Sequence, residues 1–406
     1  MGKARVVKGG VANAKGFRAA GVPAEIKYKG RNDVALIVAD APCSAAAVFT
    51  TNKVAAAPVL YDREVIKSGV AQAILANSGC ANACTGEKGL KDASLSALVT
   101  AGELEIKPEH VLVASTGVIG RNLPMERLLA GMKAAKSALG RTTAHGQAAA
   151  KAIMTTDTRM KEACARVTIG GKTVTVGGMA KGSGMIEPNM ATMLGFITTD
   201  VAISPALLKK ALLGGLVRSF NRVVVDGDES TNDSLFVMAS GAAGNTPITK
   251  SGEDYELFRE ALELVMVSLA KQMAKDGEGA TKFVTVVVKG AASQADAEKA
   301  ARAIAKSPLS KTSWFGKDPN WGRVLAAAGY SGANVEPEKA VVMYDGVWAY
   351  MKGKIADEDQ LKKLAKVLDK DEFTVTVDLN LGKAEDRIYT CDFSLDYVHI
   401  NADYTT

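Results

Sequence analysis

"KGSGMIEPNMATMLGFITTD", Lys181 to Asp200, changes character at its middle. Small residues, two glycines and a proline lead up to Ala191-Thr192, and an apolar, β-branched run follows at once. That run reads as a strand entering a core. Two readings of the junction stand side by side: a loop feeding a buried strand, or a peptide bond, Ala191–Thr192, that is made to be broken. The second gives Thr192 a chemistry. A hydroxyl residue whose own α-amino group is free can use that amine as its general base. Near pH 7.5 an α-amine is unprotonated in roughly a third of molecules, against about one in a thousand for an ordinary lysine. An internal threonine has no such amine, so cleavage after Ala191 must come first.

Outward from this stretch, strand-like and helical runs alternate. Residues 34–40, 72–77 and 111–115 read as strands, and 92–105 has helical spacing. "MERLLAGMKAAKSAL" and "TAHGQAAAKAIMT" look helical, and "RVTIGGKTVTV" is two alternating runs joined by Gly170-Gly171, a hairpin signal. Beyond the junction come a helix over 204–220, strands "RVVV" and "SLFVMAS", and a helix from Asp254 to about Lys275. "KFVTVVVKG" (282–290) is a further strand, followed by helices over 295–306 and 359–369 and strands "AVVMYDG", "FTVTVDL" and "RIYTCDF". Strands embedded among helices define an α/β (α+β) protein.

Composition limits the function classes. The 406 residues carry a net charge of +6, 23% charged and 47% hydrophobic residues, as an ordinary globular chain does. The densest basic stretch, "LKKLAKVLDK", has helical spacing and reads as a solvated face, so no nucleic-acid partner is expected. No apolar run reaches the length of a membrane span, and "MGKARVVKGG" lacks the apolar core of a signal peptide. The five cysteines are scattered without a metal-ligand pattern, which fits reduced thiols in a cytoplasmic protein.

Several motifs fail. "GGKT" lacks the earlier glycine of a phosphate-binding loop, Arg166 standing in its place. "GSGMIE" lacks the third glycine of a dinucleotide fingerprint. The three histidines, His110, His145 and His399, have no acidic orienter in a recognisable setting, although a histidine-based triad stays open.

The segment "GMAKGSGMIEPNMATMLGFITTD" closely resembles the self-processing segment of the ornithine acetyltransferases, the glutamate N-acetyltransferases of arginine biosynthesis. The resemblance continues through "NSGCANACTG", "STGVIG", "AIMTTDT", "DGDESTND", "KDGEGATKFVTV", "DPNWGRVLAAAGYSG" and "YVHINADYTT", spanning residues 77 to 406 in order. Two departures are visible, Cys80 where many relatives have Asn and Met160 where Pro is common.

The resemblance implies a layered sandwich of helices and sheets like that of N-terminal-nucleophile acyltransferases. Self-cleavage between Ala191 and Thr192 would yield an alpha chain, 1–191, and a beta chain, 192–406, together forming one catalytic body. A smaller C-terminal α/β subdomain would cover about 285–406, and two alpha and two beta chains would assemble. The implied reaction moves an acetyl group from N-acetylornithine to glutamate through an acetyl-threonine on Thr192. Thr116 (hydroxyl) and Gly117 (backbone N–H) would serve the oxyanion, and Thr155, Lys181, Thr192, Glu278, Asn401 and Thr406 would contact substrate. No metal or cofactor is implied. Acetyl-coenzyme A is a second donor for some members of the family, and no residue here separates those members. Two other readings remain: an amidohydrolase or aminopeptidase with the same nucleophile, and a binding protein that keeps the fold without processing.

Overall fold

The structure is a computed structural model that describes residues 4–187 and 193–403. Among the described residues, those up to Asn221, with Asp228–Met273, make one compact unit; Arg222–Gly227 and residues 274–403 make a second. The first unit holds β1 (Arg5–Val7), β2 (Phe17–Val22), β3 (Val34–Phe49), β4 (Val70–Asn77) and β5 (Val111–Ser115). It also holds β6 (Lys161–Ile169), β7 (Lys172–Lys181), β8 (Leu194–Thr199) and β9 (Ser234–Ala239). Among the described residues these form one sheet in the order β1-β6-β7-β8-β9-β3-β4-β5, with β2 beside β3. The hairpin expected at Gly170-Gly171 is present: both residues have positive φ (54° and 75°) and join β6 to β7.

β3 departs from the expectation of a strand ending at residue 40. It runs for 16 residues, pairing with β4 from Val34 and with β9 from Ser44, across a register shift between Val38 and Cys43. Asp40, Ala41 and Pro42 are exposed at that shift. Pro42 has no N–H to give a ladder, so the alternation stops although the chain goes on. The irregularity divides the sheet into two arms whose facing side chains share one apolar cluster, including Ile37, Ile74 and Leu112 from one arm and Met179, Phe196 and Phe236 from the other. The opposite faces are covered by helices. α1 (Ala57–Val65), α2 (Gly86–Leu104) and α3 (Met125–Ser137) bring Ala57, Ala93, Ala97, Leu128 and Met132 onto Leu36, Val38 and Leu75. α4 (Thr143–Ala152) contributes Ala149 and Ala150 to the inner cluster. α5 (Pro205–Arg218) and α6 (Glu253–Lys275) lie on the other arm, where a Cβ at Gly178 would sit 3.0 Å from Val265 and Leu269. Helix, sheet, sheet and helix stack in layers, and strands from both sides of Ala191 pair directly, β7 with β8 and β3 with β9.

The second unit has β10 (Phe283–Ala291), β11 (Val341–Tyr344), β12 (Val347–Met351), β13 (Lys354–Ile355), β14 (Glu372–Asp378) and β15 (Ala384–Cys391). Their order is β13-β12-β11-β14-β10-β15, parallel only between β10 and β14. Val284, Val286 and Val288 alternate into a core with Ala300 and Ile304 of α7 (Gln294–Lys306) and Leu364 and Leu368 of α10 (Glu358–Leu368). Between these helices lie α8 (Pro308–Phe315) and α9 (Trp321–Gly329), and α11 (Leu395–Asp403) follows β15. The expected strand "RVVV" is not one. Arg222 ends a short 3₁₀ turn, and Val223 makes a single bridge to Tyr389 while Val224 enters the core of this unit. Its β-branched residues are there for burial, which periodicity cannot tell from pairing. No helix among the described residues is long and apolar enough to cross a membrane.

Candidate active site

β4 and β5 are parallel neighbours that end level, Asn77 opposite Ser115. The turns leaving them are sewn together. Thr116 N–H donates to Asn77 O (3.0 Å), Ser115 Oγ to Asn77 Oδ1 (2.7 Å), and Asn77 Nδ2 to Cys80 O (2.9 Å). Ala81 N–H donates to Val118 O and Gly120 N–H to Ala83 O (both 2.9 Å). Gly117 sits at φ +127°, and a Cβ there would lie 2.5 Å from Gly79 C and 2.7 Å from Cys80 N. Only glycine fits between these backbones. Thr116 is buried and Gly117 half-buried beside it.

The polar segment 228–234 joins this turn to the start of β8. Asn232 Nδ2 donates to Ala81 O (2.6 Å) and to Ser115 O (2.8 Å), the carbonyl of the peptide bond before Thr116. Asp233 Oδ1 accepts the N–H of Met193 at 2.6 Å, and Ser234 N–H donates to Met193 O (3.1 Å). Met193 is the first described residue after the proposed cut. Thus Thr116 and the residue following Thr192 are tied through two consecutive side chains. Thr192, Ala191 and Thr406 themselves lie outside the described residues.

Thr155 and Lys181 meet at a second cluster. The fully buried Asp157 carboxylate accepts Thr155 N–H (3.0 Å, Oδ2), Gly182 N–H (2.8 Å, Oδ1) and the buried Lys161 Nζ (2.6 Å, Oδ1). Lys181, also buried, stands at the end of β7 directly across from Leu194. Arg31 donates to the carbonyls of Met154 and Thr155, bracing the same loop. Burial opposes the charge on Asp157, but the ammonium groups of Lys161 and Lys181, with the hydrogen bonds from Lys161 and Gly182, outweigh it and bring its carboxyl down to about 2. A folded-state value below the unfolded one, about 3.9, means stabilisation that is fully present above about pH 4 and lost as pH falls towards 2. Asp157→Asn should therefore be less stable at pH 7 by about 3 kcal/mol, since it removes the carboxylate charge that offsets two buried ammonium groups. Thermal unfolding between pH 7 and 2 checks this: the variant should lack the stability loss below pH 4 that Asp157 gives the wild type, and equal acid slopes would mean that Asp157 is not ionised in the fold.

In the second unit Asn401 Nδ2 donates to Glu278 Oε2 (2.9 Å) and to Tyr397 O (3.0 Å), so these two expected substrate contacts are brought together. The loop bearing Glu278 is pinned by buried Asp392, whose carboxylate accepts Thr281 N–H (2.8 Å), Lys282 N–H (2.9 Å) and the Thr281 hydroxyl (2.5 Å). Ser394 Oγ donates to Gly279 O (2.5 Å). Two of the three histidines play no such part: His145 Nδ1 pairs with the neighbouring Thr142 hydroxyl (2.6 Å), and His399 is exposed on α11. Asn232, Asp233, Asp157 and Lys161 carry no role in the sequence reading. Their only signal was position, inside or beside the motifs "DGDESTND" and "AIMTTDT".

The profile described as the ArgJ family matches residues 18–406. The "Arginine biosynthesis bifunctional protein ArgJ" of Geobacter sulfurreducens is 52% identical over 97% of this chain and all of the relative. The protein of the same name from Symbiobacterium thermophilum is 51% identical over 98% of this chain and 99% of its own length. Among solved structures, the ornithine acetyltransferase of Mycobacterium tuberculosis complexed with ornithine is 42% identical, covering 46% of this chain and 98% of that one, with a TM-score of 0.43. A match that runs from residue 18 to the last residue, with relatives sharing half their residues along their whole length, leaves one conclusion: this chain is a member of the ArgJ family.

Proposed function

We propose that this ArgJ-family enzyme cleaves itself between Ala191 and Thr192 and then carries acetyl groups from N-acetylornithine to glutamate on the Thr192 hydroxyl, in arginine biosynthesis. In the first event Thr192 Oγ attacks the Ala191 carbonyl. The amide C–N bond breaks, an ester C–O bond forms, and the hydroxyl proton ends on the Thr192 nitrogen. Water then hydrolyses the ester, leaving the Ala191 carboxylate and a Thr192 with free amine and hydroxyl. In each later turnover the amine takes the hydroxyl proton as Oγ attacks the acetyl carbonyl, and passes it to the ornithine nitrogen as the amide C–N bond breaks. The amine of glutamate then attacks the acetyl ester, the ester C–O bond breaks, and a proton returns to Thr192 Oγ.

The single observation that carries this reading is the pair of bonds from Asn232 to Ser115 O and from Asp233 to Met193 N–H. They link the peptide unit after Thr192 to the turn of Thr116 and Gly117, the two donors proposed for the oxyanion. Lys181 is suited to a substrate carboxylate and Glu278 to an ammonium, with Thr155, Asn401 and Thr406 as neutral hydrogen-bonding contacts. No cofactor is required, and acetyl-coenzyme A is proposed as a second donor. The matured chains work as one catalytic body, assembled as two alpha and two beta chains in the cytoplasm.

Assaying each donor separately with glutamate is the test. N-acetylornithine should yield N-acetylglutamate and ornithine in equal amounts only when glutamate is present. Release of acetate at a comparable rate without glutamate would replace transfer by amide hydrolysis on the same nucleophile. A processed enzyme active with N-acetylornithine and inert with acetyl-coenzyme A would remove the second donor alone.

A further inference from the structure

We infer that Asn232 and Asp233 act together as a two-residue gauge, fixing the distance between the peptide nitrogen that follows Thr192 and the turn that carries Thr116 and Gly117. Both are then positioning residues, for self-cleavage and for acetyl transfer alike. The inference rests on the reading of Thr192 as nucleophile and adds to it what holds that nucleophile in place.

The bonds at each end are short and specific. Asp233, 1% exposed, accepts Met193 N–H at 2.6 Å. That nitrogen belongs to the peptide bond joining Met193 to Thr192. Once the bond before Thr192 is cut, this link is the residue's one remaining covalent tether, and a new chain terminus frays unless something ties it down. Asn232, 6% exposed, uses both hydrogens of its amide, on Ala81 O and on Ser115 O. Those carbonyls flank the turn that presents Thr116 and Gly117, one on each of the two chain segments that form it.

Between the two ends there is little slack. Consecutive Cα atoms are about 3.8 Å apart, and both residues are clamped along their backbones. Asn232 N–H donates to Ser230 Oγ (3.0 Å), and its side-chain oxygen accepts the Thr231 hydroxyl (2.6 Å). Asp233 O accepts Thr50 N–H (3.0 Å), and Ser234 starts β9, in register with Leu194 of β8. A carboxylate on one backbone N–H and an amide on two backbone carbonyls make a crosslink whose ends are both main chain. Such a crosslink sets a distance and does not merely fill a core. A displacement of about 1 Å between nucleophile and oxyanion donors is worth roughly 10²-fold in rate.

The experiment follows self-cleavage of full-length chain by intact mass, together with kcat, KM for N-acetylornithine and thermal unfolding, for Asp233→Ala, Asn232→Ala and the double variant. Each single variant should cleave about 10²-fold more slowly and, once matured, show a kcat lower by a similar factor with KM within about threefold. The double variant should be no worse than the poorer single, because one separation is lost once. Asp233→Asn, which keeps an acceptor for Met193 N–H, should recover to within about tenfold of wild type. Wild-type rates in Asp233→Ala, additive losses in the double variant, or losses that appear in KM and follow the unfolding temperature would overturn the gauge. Should the alanine variants fail to fold, the near-isosteric pair decides: Asn232→Asp, which turns an oxygen onto two carbonyls, must be much slower than Asp233→Asn, and equal rates overturn the inference. A wild-type chain that never cleaves sinks the self-cleavage reading instead, so the two failures are distinct.

Discussion

Thr192→Ala should leave a single uncut chain of 406 residues and no measurable acetyl transfer. The alanine methyl cannot attack the Ala191 carbonyl, so the bond stays whole. Without cleavage there is no terminal amine, and without the hydroxyl nothing can carry the acetyl group. Both events fail together, and activity should fall by at least about 10⁴-fold, as for other nucleophiles removed outright. Thr192→Ser keeps the hydroxyl and loses the methyl that restricts its rotamer, so it should cleave and turn over more slowly. Intact mass after purification, with an assay for N-acetylglutamate, reads all of this. Two fragments from Thr192→Ala would end the self-cleavage mechanism, and acetyl transfer by that variant would move the nucleophile elsewhere.

The second large effect is expected at Gly117. Alanine there must adopt φ near +127° and push its methyl to within 2.5 Å of Gly79 C and 2.7 Å of Cys80 N. Neither atom belongs to a flexible side chain, so the turn itself has to shift. Shifting it swings the Gly117 N–H away from the carbonyl it is proposed to serve, and loss of one oxyanion donor lowers kcat by about 10²–10³-fold. Because the donor acts on the transition state, KM should move little. Stability should drop by about 1–3 kcal/mol from the strained backbone. Thr116→Val is the companion measurement, since it deletes the hydroxyl donor while keeping shape and backbone. Gly117→Ala with wild-type kcat would show that this turn does not face the reacting carbonyl.

Local signals in the chain were enough for most elements. The alternation of "KFVTVVVKG" made β10, the pair Gly170-Gly171 made the β6–β7 turn, and helical spacing located α3, α4 and α6. The order of the motifs was enough to identify the family, and the A-T-M-L junction to nominate Thr192. Such features are written in residues close together, where period and turn chemistry act directly. Where one signal serves two ends, the reading failed: "RVVV" is β-branched because Val224 fills a core, not because it joins a sheet.

The supporting groups were out of reach for a different reason. Nothing near Asp157 in the chain says that its carboxylate will hold Gly182 N–H, 25 residues on, or that Lys161 will be sealed in beside it. Nothing near Asn232 says that its amide will span to Ser115, 117 residues back, or that its neighbour will hold Met193. A buried polar group must find a partner, but the chain does not state which one; folding chooses it by bringing distant backbone within hydrogen-bond reach. By itself the sequence nominated the chemistry proposed here, a threonine at the Ala191-Thr192 junction with a glycine turn and charged residues as its expected partners. Only the tertiary structure decided which distant groups tie the Met193 N–H to the turn of Thr116, because those ties are hydrogen bonds between segments that meet nowhere except in the fold.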